Sequence, residues 1–569
     1  MPTHDKESPS ASEHQNDDAA RHTLALNPLI GLGTHDFVDA TKTVFTAVVK
    51  HPEVAVGQWL KFVGDVGKIV TGKAENRAVE GGDKRFADPA WKSSPLHRAI
   101  LQSYLAWSDA VSSYVDKVDL DEQDRARARL LSGILVDALA PTNALFGNPA
   151  ALKKLVDTGG ESLWSGLKNY VTDLVENGGM PSQVDSRPFK VGKNLATTPG
   201  AVVFRDKMFE LIQYKPTTAE VWRRPIVITP PQINKFYSLD LTPEKSLVQF
   251  LLSEGFQVFC ISWRNPKPEH RDWGLEDYVD SVANAVDVAC KVTGSDDVSM
   301  MGACSGGITS CAYAAREAAR GSSKLKTLTL AVCTLDPATA DETTLGSLIT
   351  PFTIEAAREH SKEKGLLDGR ELAKVFAWMR PNDLIWNYWV SNYLLGNTPP
   401  AFDILYWNND TTSLPARLHS NYLDLVTLNP FRNPGAWKLS GTPIDIGEVS
   451  VDSYVVAGVT DHITPWKSVY QTARLLGDST TFVLSNAGHL QSLLNPPGNP
   501  KATYATGVAD VAEPDAFANT AAKSNGSWWN HWSAWLAERS GDKATAVETV
   551  GSSEFPARGP APGTYVFNA

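Results

Sequence analysis

A cysteine stands in a sequence context that suits a nucleophile. The stretch Gly302-Ala303-Cys304-Ser305-Gly306-Gly307 follows the apolar run VSMM and precedes the helix-like segment ITSCAYAAREAA. Small residues around a reactive side chain permit the sharp strand-to-helix turn called the nucleophile elbow, which holds that side chain above a sheet. A helix N-terminus also favours the thiolate form of a cysteine. We therefore predict that Cys304 is the nucleophile of an α/β-hydrolase fold, at the position that serine more often occupies.

The remaining cysteines are interpreted as packing residues. Cys260, Cys290, Cys311 and Cys333 lack the glycine frame that surrounds Cys304. An inert, buried Cys304 is the alternative interpretation of the motif, and the Gly-x-x-x-Gly frame disfavours it. No CxxC pair or nearby histidine set occurs, which indicates reduced thiols in the cytoplasm and neither a disulfide framework nor a metal site.

Two further residues follow strand-like runs and could complete a catalytic triad. Asp461 comes after DSYVVAG, in AGVTDHITPW, and His489 comes after TTFVLSN, in SNAGHLQSLL. The order nucleophile, acid, histidine is that of this fold, and strand ends meet at one edge of a parallel sheet. We expect Asp461 to orient the imidazole and His489 to accept a proton. His462 is the competing base, but adjacent residues of an extended turn point to opposite sides, so Asp461 and His462 should not converge.

An oxyanion formed at the substrate carbonyl needs backbone donors. The residue after the nucleophile supplies one N–H in this fold, and a loop after an early strand supplies the other. We predict that the donors are the N–H groups of Ser305 and of Ile233, which lies in TPPQINKFY.

The choice of sulfur over oxygen indicates the kind of substrate. A thiol that attacks an oxygen ester forms a less stable thioester, whereas its exchange with a thioester substrate is close to balanced. The acyl group stays activated on sulfur and can pass to an alcohol or to water. Cysteine therefore favours acyl transfer from a thioester donor.

The elements that must position these residues follow from hydrophobic patterning. Residues 1–22 are predicted to be a disordered tail and residues 23–200 a mainly helical N-terminal domain, with apolar residues at spacings of three and four. Residues 201–545 contain the short apolar runs PIVITPP, FQVFCISW and TLTLAVCTLD between helix-length segments, which is typical of a parallel sheet. Thr242-Pro243-Glu244 is expected to begin one of the helices. Residues 546–569 are taken as a C-terminal tail.

Between about residues 340 and 445 the strand pattern stops and aromatic, helix-like sequence intervenes. An insertion at this place in such a fold is typically a lid over the site. Its aromatic residues, among them Trp386 and Trp407, would offer apolar walls for an acyl chain. The competing interpretation is that they form the lid's own core or a dimer contact.

Charge and hydropathy exclude some classes of protein. The 569 residues carry a formal net charge of -11, without a basic run, which argues against nucleic-acid binding. No stretch reaches the run of roughly 18 apolar residues that a membrane-spanning helix needs. The N-terminal residues are polar and acidic, so no secretion signal is expected.

The chain resembles the polyhydroxyalkanoate (PHA) synthases. The matching stretches are PPQINKFYSLDL, ISWRNP, GACSGG, AKVFAWMRPNDLIWNYWVSNYLLGN, FDILYWNNDTTSLP, GVTDHITPW and GHLQSLLNPPGNPK. They extend from about residue 85 to about residue 505, and their sequences most resemble those of the single-subunit branch that prefers medium-chain monomers.

The resemblance implies polymerisation of (R)-3-hydroxyacyl groups from coenzyme A thioesters, with release of CoA and growth of a polyester granule in the cytoplasm. It implies Cys304 as the acylated nucleophile, Asp461 as the acid and His489 as the base, with Asp461 also a candidate to activate the incoming hydroxyl. Trp386, Trp407 and Asp240 lie in matching stretches and are expected to contact substrate. A homodimer, no cofactor and no metal are further expectations.

Two other functions remain open on the sequence alone. A cysteine hydrolase or depolymerase of the same fold would differ only in admitting water to the acyl-enzyme. A granule-coating protein would keep the fold without turnover.

Overall fold

The described part of the chain begins with a group of helices. The computed structural model describes residues 52–568, except 80–82, 337–350, 372, 374–380 and 462. The predicted tail at residues 1–22 lies outside the described residues. The helices before the sheet are α1 (Pro52–Val70), α2 (Ala90–Ser93), α3 (Pro95–Lys117), α4 (Glu122–Ala138), α5 (Pro149–Asp157) and α6 (Glu161–Glu176).

A ten-stranded sheet forms the centre of the catalytic region. Its strands are β1 (Gly200–Arg205), β2 (Phe209–Tyr214), β4 (Ile226–Thr229), β5 (Val258–Trp263), β6 (Val298–Ala303), β7 (Leu325–Ala331), β12 (Asp452–Gly458), β13 (Thr481–Ser485), β14 (Thr503–Val508) and β15 (Ala522–Asn525). The order across the sheet is β1-β2-β5-β4-β6-β7-β12-β13-β14-β15. The strands from β5 to β13 in this order are mutually parallel, and both flanks are antiparallel.

Short strand pairs lie outside this sheet. They are β3 (Glu220–Trp222) with β16 (Lys543–Thr545), β8 (Leu366–Leu367) with β9 (Leu414–Pro415), and β10 (Lys438–Leu439) with β11 (Thr442–Pro443).

Helices cover both faces of the sheet. They are α7 (Leu247–Ser253), α8 (Leu275–Thr293), α9 (Ser305–Ala319), α13 (Trp466–Leu475), α14 (His489–Leu493), α15 (Pro514–Thr520) and α16 (Trp528–Ala537). Successive residues of β4 are buried on opposite faces of the sheet. Val227 belongs to one apolar cluster, and Ile226 and Ile228 belong to the other. This alternation is that of a strand covered on both faces, which explains why the central strands are continuously apolar.

The predicted start of one helix is wrong by one turn. Pro243–Lys245 forms only a short 3-10 turn, and the Thr242 side chain makes no capping hydrogen bond. Helix α7 begins instead at Leu247, where Ser246 Oγ accepts the N–H of Gln249 at 2.9 Å. Ser246 is fixed in that role because its hydroxyl also donates to the buried carboxylate of Asp240 at 2.7 Å.

The predicted insertion lies between β7 and β12. It contains α10 (Pro351–Lys364), α11 (Asp403–Asn409) and α12 (Ala416–Leu428), together with the π-helical turns Asn382–Trp386 and Trp389–Leu394. The second π-helical turn packs on α6 of the N-terminal helices. Gly166 in α6 permits this approach, since a Cβ atom there would lie 1.9 Å from the carbonyl oxygen of Tyr393.

Candidate active site

Cys304 lies at the turn between β6 and α9. Its backbone has φ 49° and ψ -124°, a left-handed φ that is uncommon for a residue other than glycine and is found mostly at functional sites. Nearby glycines make the turn possible: a Cβ on Gly306 would lie 2.2 Å from the carbonyl oxygen of Thr229, and one on Gly307 would lie 2.7 Å from Cys333 Sγ. The glycine frame of the sequence motif therefore has a steric cause.

His489 and Asp461 meet at the same end of the sheet. His489 is the first residue of α14, and its Nδ1 lies 2.8 Å from Asp461 Oδ2. The Cys304 side chain lies beside the ring and contributes to the raised pKa of His489. Gly458, the last residue of β12, allows the two turns to approach, because a Cβ there would lie 2.4 Å from the carbonyl oxygen of Ala487. The structure thus brings the three predicted triad residues together.

The Asp461 carboxylate is fully enclosed. Its Oδ1 accepts the N–H groups of Ile463 at 2.9 Å and Thr464 at 3.0 Å. Its Oδ2 accepts the Thr464 hydroxyl at 2.7 Å as well as the His489 ring. With its side chain 0% exposed, Asp461 is placed to orient the imidazole. The competing base, His462, lies outside the described residues.

The two buried groups perturb each other's protonation. Burial lowers the pKa of the His489 imidazole, but the charge and hydrogen bond of Asp461, together with Cys304, raise it by more, to about 10. Burial raises the pKa of Asp461, but the neighbouring His489 and the hydrogen bonds from Thr464 outweigh this, so that pKa is lowered. At neutral pH the pair is therefore imidazolium and carboxylate.

One predicted oxyanion donor, Ser305, directly follows Cys304, and the other, Ile233, lies on a loop that contacts Ser305. Ser305 is the first residue of α9, where a helix leaves N–H groups without intrahelical acceptors. On the loop after β4, the N–H of Gln232 is already donated to Ser305 Oγ at 3.1 Å. The next N–H along that loop belongs to Ile233, and no acceptor for it occurs within the described residues.

Gln232 is a residue of this site that the sequence reasoning missed. Its side-chain Nε2 donates to Thr309 Oγ1 at 2.9 Å, and its Oε1 accepts the hydroxyl of Tyr422 at 2.9 Å. Gln232 therefore ties the loop after β4 to α9, which follows the nucleophile, and to α12 of the insertion. Only its place between Pro231 and Ile233 could have drawn attention to it.

Each residue predicted to contact substrate is held by other parts of the protein. Asp240 is buried, and its carboxylate accepts the hydroxyls of Thr198 and Ser246. The indole of Trp407, which is 2% exposed, donates to the carbonyl oxygen of Lys235 at 2.7 Å. Trp386 packs against Trp389 in the first and second π-helical turns of the insertion.

The aromatic residues of the insertion also hold the helical region. The indole of Trp389 donates to the carbonyl oxygen of Asn143 at 3.0 Å, and the Tyr393 hydroxyl donates to Asp173 at 2.7 Å. The Tyr170 ring packs edge-on against both of them. These contacts favour the interpretation in which the lid aromatics are packing residues.

A cavity of about 550 Å³ adjoins the expected second oxyanion donor. Its walls come from the helical region at residues 176–186, from Ile233 and Asn234, and from the insertion around Gly369 and Arg370. The volume is within the range typical of small-molecule sites.

The four other cysteines are buried or half-buried. Burial raises the pKa of the Cys290 thiol to about 11, and Cys260, Cys311 and Cys333 are buried. Within the part of the chain that the structure describes, no cluster of His, Cys, Asp and Glu could hold a metal ion. Likewise, none of the described helices has the length and apolar character needed to cross a bilayer.

The sheet order, the elbow at its centre and the Cys-His-Asp arrangement at its edge define a member of the α/β-hydrolase class. The profile described as "alpha/beta hydrolase fold" matches residues 225–496, and the profile described as "Poly-beta-hydroxybutyrate polymerase (PhaC) N-terminus" matches residues 82–251. The predicted fold is therefore confirmed.

Characterised relatives extend over nearly the whole chain. It is 49% identical to Poly(3-hydroxyalkanoate) polymerase 1 of Ectopseudomonas oleovorans, over 96% of this chain and 97% of that protein. It is 46% identical to polymerase 2 of the same organism, over 95% and 96% of the two chains. The polymerase subunit PhaC of Cupriavidus necator is 38% identical over 89% and 87%. The chain belongs to the poly(3-hydroxyalkanoate) polymerase family.

Proposed function

We propose that this protein is a PHA synthase, an acyltransferase that polymerises (R)-3-hydroxyacyl groups from CoA thioesters and releases CoA. The observation that carries the proposal is the contact of the Cys304 side chain with the buried His489–Asp461 pair at the elbow of this family's fold. Coenzyme A enters as part of the substrate, and the proposed chemistry uses no separate cofactor.

The acylation step begins with the Cys304 thiolate, which attacks the thioester carbonyl. The carbonyl oxygen becomes negative and would receive the N–H groups of Ser305 and Ile233. When the carbonyl re-forms, the bond to the CoA sulfur breaks, and the His489 imidazolium supplies the proton that gives free CoA. The acyl group remains as a thioester on Cys304, and His489 is neutral.

The transfer step uses that neutral imidazole as a base. Acylation removes the thiolate charge, one of the groups that raises the pKa of His489, so the ring loses its proton more readily. It accepts the proton of a 3-hydroxyl group, whose oxygen attacks the Cys304 thioester. The bond to the Cys304 sulfur then breaks, so that an oxygen ester forms and the Cys304 thiolate and the His489 imidazolium are restored. The enclosure of Asp461 by Thr464 and Ile463 favours His489 over Asp461 as this base.

The function is tested with a ladder of (R)-3-hydroxyacyl-CoA substrates of increasing chain length. CoA release and recovered polyester are measured together. The resemblance of the sequence to the medium-chain branch, with the similarity to the Ectopseudomonas oleovorans polymerases, leads us to expect the highest rate on medium chains. Free hydroxy acid without polymer would contradict the proposal and indicate hydrolysis, and no release of CoA would indicate a protein without turnover.

We also propose that the protein acts on the surface of cytoplasmic polyester granules, with α6 as a point of contact. The exposed face of α6 is apolar at helical spacing and includes Trp164, which is 72% exposed, and Val175, which is 80% exposed. Its other members are Leu163, Leu167, Val171 and Leu174. An exposed apolar patch of this kind marks an interaction site, and the proposed product is itself apolar.

The surface proposal is tested by sedimentation with polyester particles. The double variant Trp164→Gln, Leu167→Gln should remain in the supernatant, whereas Val508→Gln, an exposed apolar residue of β14, should sediment like the parent protein. Equal sedimentation of all three would contradict it. The homodimer implied by the family resemblance is tested separately by analytical ultracentrifugation, where a monomer at all active concentrations would contradict it.

A further inference from the structure

We infer that the C-terminal segment Gly563–Asn568, here called the C-terminal clamp, positions the loop after β4 for catalysis, through the side chain of Lys235. The inference rests on the proposed function, because that loop, residues 230–235, would carry the second oxyanion donor at Ile233. Lys235 is a positioning residue in this account and does not touch the substrate.

The ammonium group of Lys235 has an acceptor for each of its three protons. Its Nζ donates to the carbonyl oxygens of Val566 at 2.7 Å and Asn568 at 3.0 Å. It also lies 3.1 Å from Asp410 Oδ1, and the side chain is only 7% exposed. Two of the three acceptors therefore belong to the C-terminal clamp.

The backbone of Lys235 is fixed as well. Its carbonyl oxygen accepts the Trp407 indole at 2.7 Å, and Asp410 is itself held by the hydroxyl of Tyr237 at 2.8 Å. Both ends of Lys235 are thus bound by distant parts of the chain. Since Ile233 is two residues away, the position of its N–H depends on these contacts.

The C-terminal clamp has its own anchor in a buried carboxylate. Glu210, whose side chain is 0% exposed, accepts the N–H groups of Thr564 at 2.7 Å and Tyr565 at 2.9 Å, and also the Thr564 hydroxyl at 2.7 Å. Val566 is 2% exposed in the apolar cluster on that face of the sheet. These contacts give the segment a single position from which its carbonyl groups meet Lys235.

The residues just before the clamp extend the edge of the sheet. Arg558 N–H donates to Val202 O at 2.8 Å, Val202 N–H donates to Gly559 O at 2.9 Å, and Ala561 N–H donates to Gly200 O at 2.9 Å. Pairing along β1 in this way resembles the addition of a strand to an open sheet edge. The segment therefore continues the sheet along β1.

Oxyanion donors act only when they are held at the place where charge develops, so a small displacement of Ile233 should slow acylation without weakening substrate binding. We expect Lys235→Met to lower kcat by about 10- to 100-fold with little change in KM. The control is Lys291→Met, which removes an exposed ion pair of 2.7 Å with Glu554 in the same terminal region but does not contact residues 230–235. Its kcat should equal that of the parent protein.

Alkylation of Cys304 by iodoacetamide separates positioning from general damage. This reaction needs the thiolate and His489 but forms no oxyanion, so its rate should be unchanged in Lys235→Met. Equal losses of alkylation and of CoA release would overturn the inference, because the triad itself would then be displaced. Parent-like kcat in Lys235→Met would overturn it while leaving the proposed function intact.

Peptide rescue gives a second, independent readout. A chain that ends at Ala557 should release CoA slowly and regain most of its rate when the peptide RGPAPGTYVFNA is added. The same peptide with Thr564→Pro, in which residue 564 loses both of its hydrogen bonds to Glu210, should not restore it. Rescue by both peptides or by neither would overturn the inference, and an inactive parent protein would instead remove the proposed function together with it.

Discussion

Replacing Asp461 by asparagine removes one charge from the centre of the site and keeps the shape of the side chain. In the parent protein the pKa of His489 is raised from 6.5 to about 10, against the opposing effect of burial. At about 1.4 kcal/mol for each pKa unit, this corresponds to about 5 kcal/mol in favour of the imidazolium. Without the carboxylate, burial dominates, so we expect His489 to be neutral at pH 7 in the variant.

The same change alters the dependence of stability on pH. Because the pKa of His489 is raised on folding, its contribution to the free energy of unfolding is complete below about pH 6.5 and is lost as the pH rises through about 10. The Asp461→Asn variant should lack this loss. At pH 6.5 it should be less stable than the parent protein by about 3–5 kcal/mol, the usual effect of removing one partner of a buried ion pair.

The Asp461→Asn substitution should also lower kcat strongly. The amide can donate to Nδ1 and so select the wrong tautomer of the imidazole, which in serine proteases lowers kcat by about four orders of magnitude. The protein should still fold, because Ile463 and Thr464 can donate to the remaining amide oxygen as they do to Oδ1 of the carboxylate.

Two measurements check this prediction. Proteins with ring-labelled histidine are titrated by NMR, with His489→Gln used to assign the signal, and urea unfolding is followed at pH 6.5 and 9.5. Our reasoning would be refuted by a His489 signal that titrates at the same pH in both proteins. The reasoning would also be refuted if the free energy of unfolding of the parent protein exceeded that of the variant by the same amount at pH 9.5 as at pH 6.5.

Three further predictions concern other parts of the site. Cys304→Ser should unfold at a similar denaturant concentration but lose most CoA release, because the alkoxide is harder to form and an oxygen ester is a poorer acyl donor. A parent-like rate of CoA release would contradict the thioester argument. Tyr422→Phe should lower the free energy of unfolding by about 1–3 kcal/mol and lower kcat, because the buried Gln232 Oε1 loses its donor. The control is Tyr470→Phe, which removes a hydroxyl that donates to Val511 O and should leave kcat unchanged. Equal effects of the two substitutions on kcat would count against the role of the loop after β4. Gly166→Ala should lower the melting temperature by displacing α6 from Tyr393. Gly57→Ala, whose Cβ would lie in open space, should instead stabilise α1 by about 1 kcal/mol. A raised melting temperature in both variants would contradict the close approach of α6 to Tyr393.

The triad could be predicted from sequence because its signals are local. The glycines around Cys304 are required by contacts within the elbow itself, and Asp461 and His489 each follow a strand directly. The continuous apolar runs of the central strands likewise indicated that these strands are buried on both faces of the sheet. Such signals depend on near neighbours in the chain, and pattern reasoning detects them.

The roles of the polar and aromatic residues around the triad depend instead on distant partners. Trp407 reaches Lys235 across 172 positions of the chain, and Tyr422 reaches Gln232 across 190. A tryptophan that binds a backbone carbonyl has the same sequence signature as one that lines an acyl pocket. Only the packed structure distinguishes them.

The same reasoning explains why the loop after β4 needs so many supports. A loop that presents an N–H group to substrate cannot also use that group in secondary structure, so it must be held by other contacts. Here Gln232 binds α9 and α12 on one side of Ile233, and Lys235 binds the C-terminal clamp and Trp407 on the other. Both supports hold buried polar atoms whose loss is costly. Within the part of the chain that the structure describes, the Ile233 N–H has no acceptor. It can remain so because residues on either side of it are fixed by parts of the chain that the sequence alone does not connect.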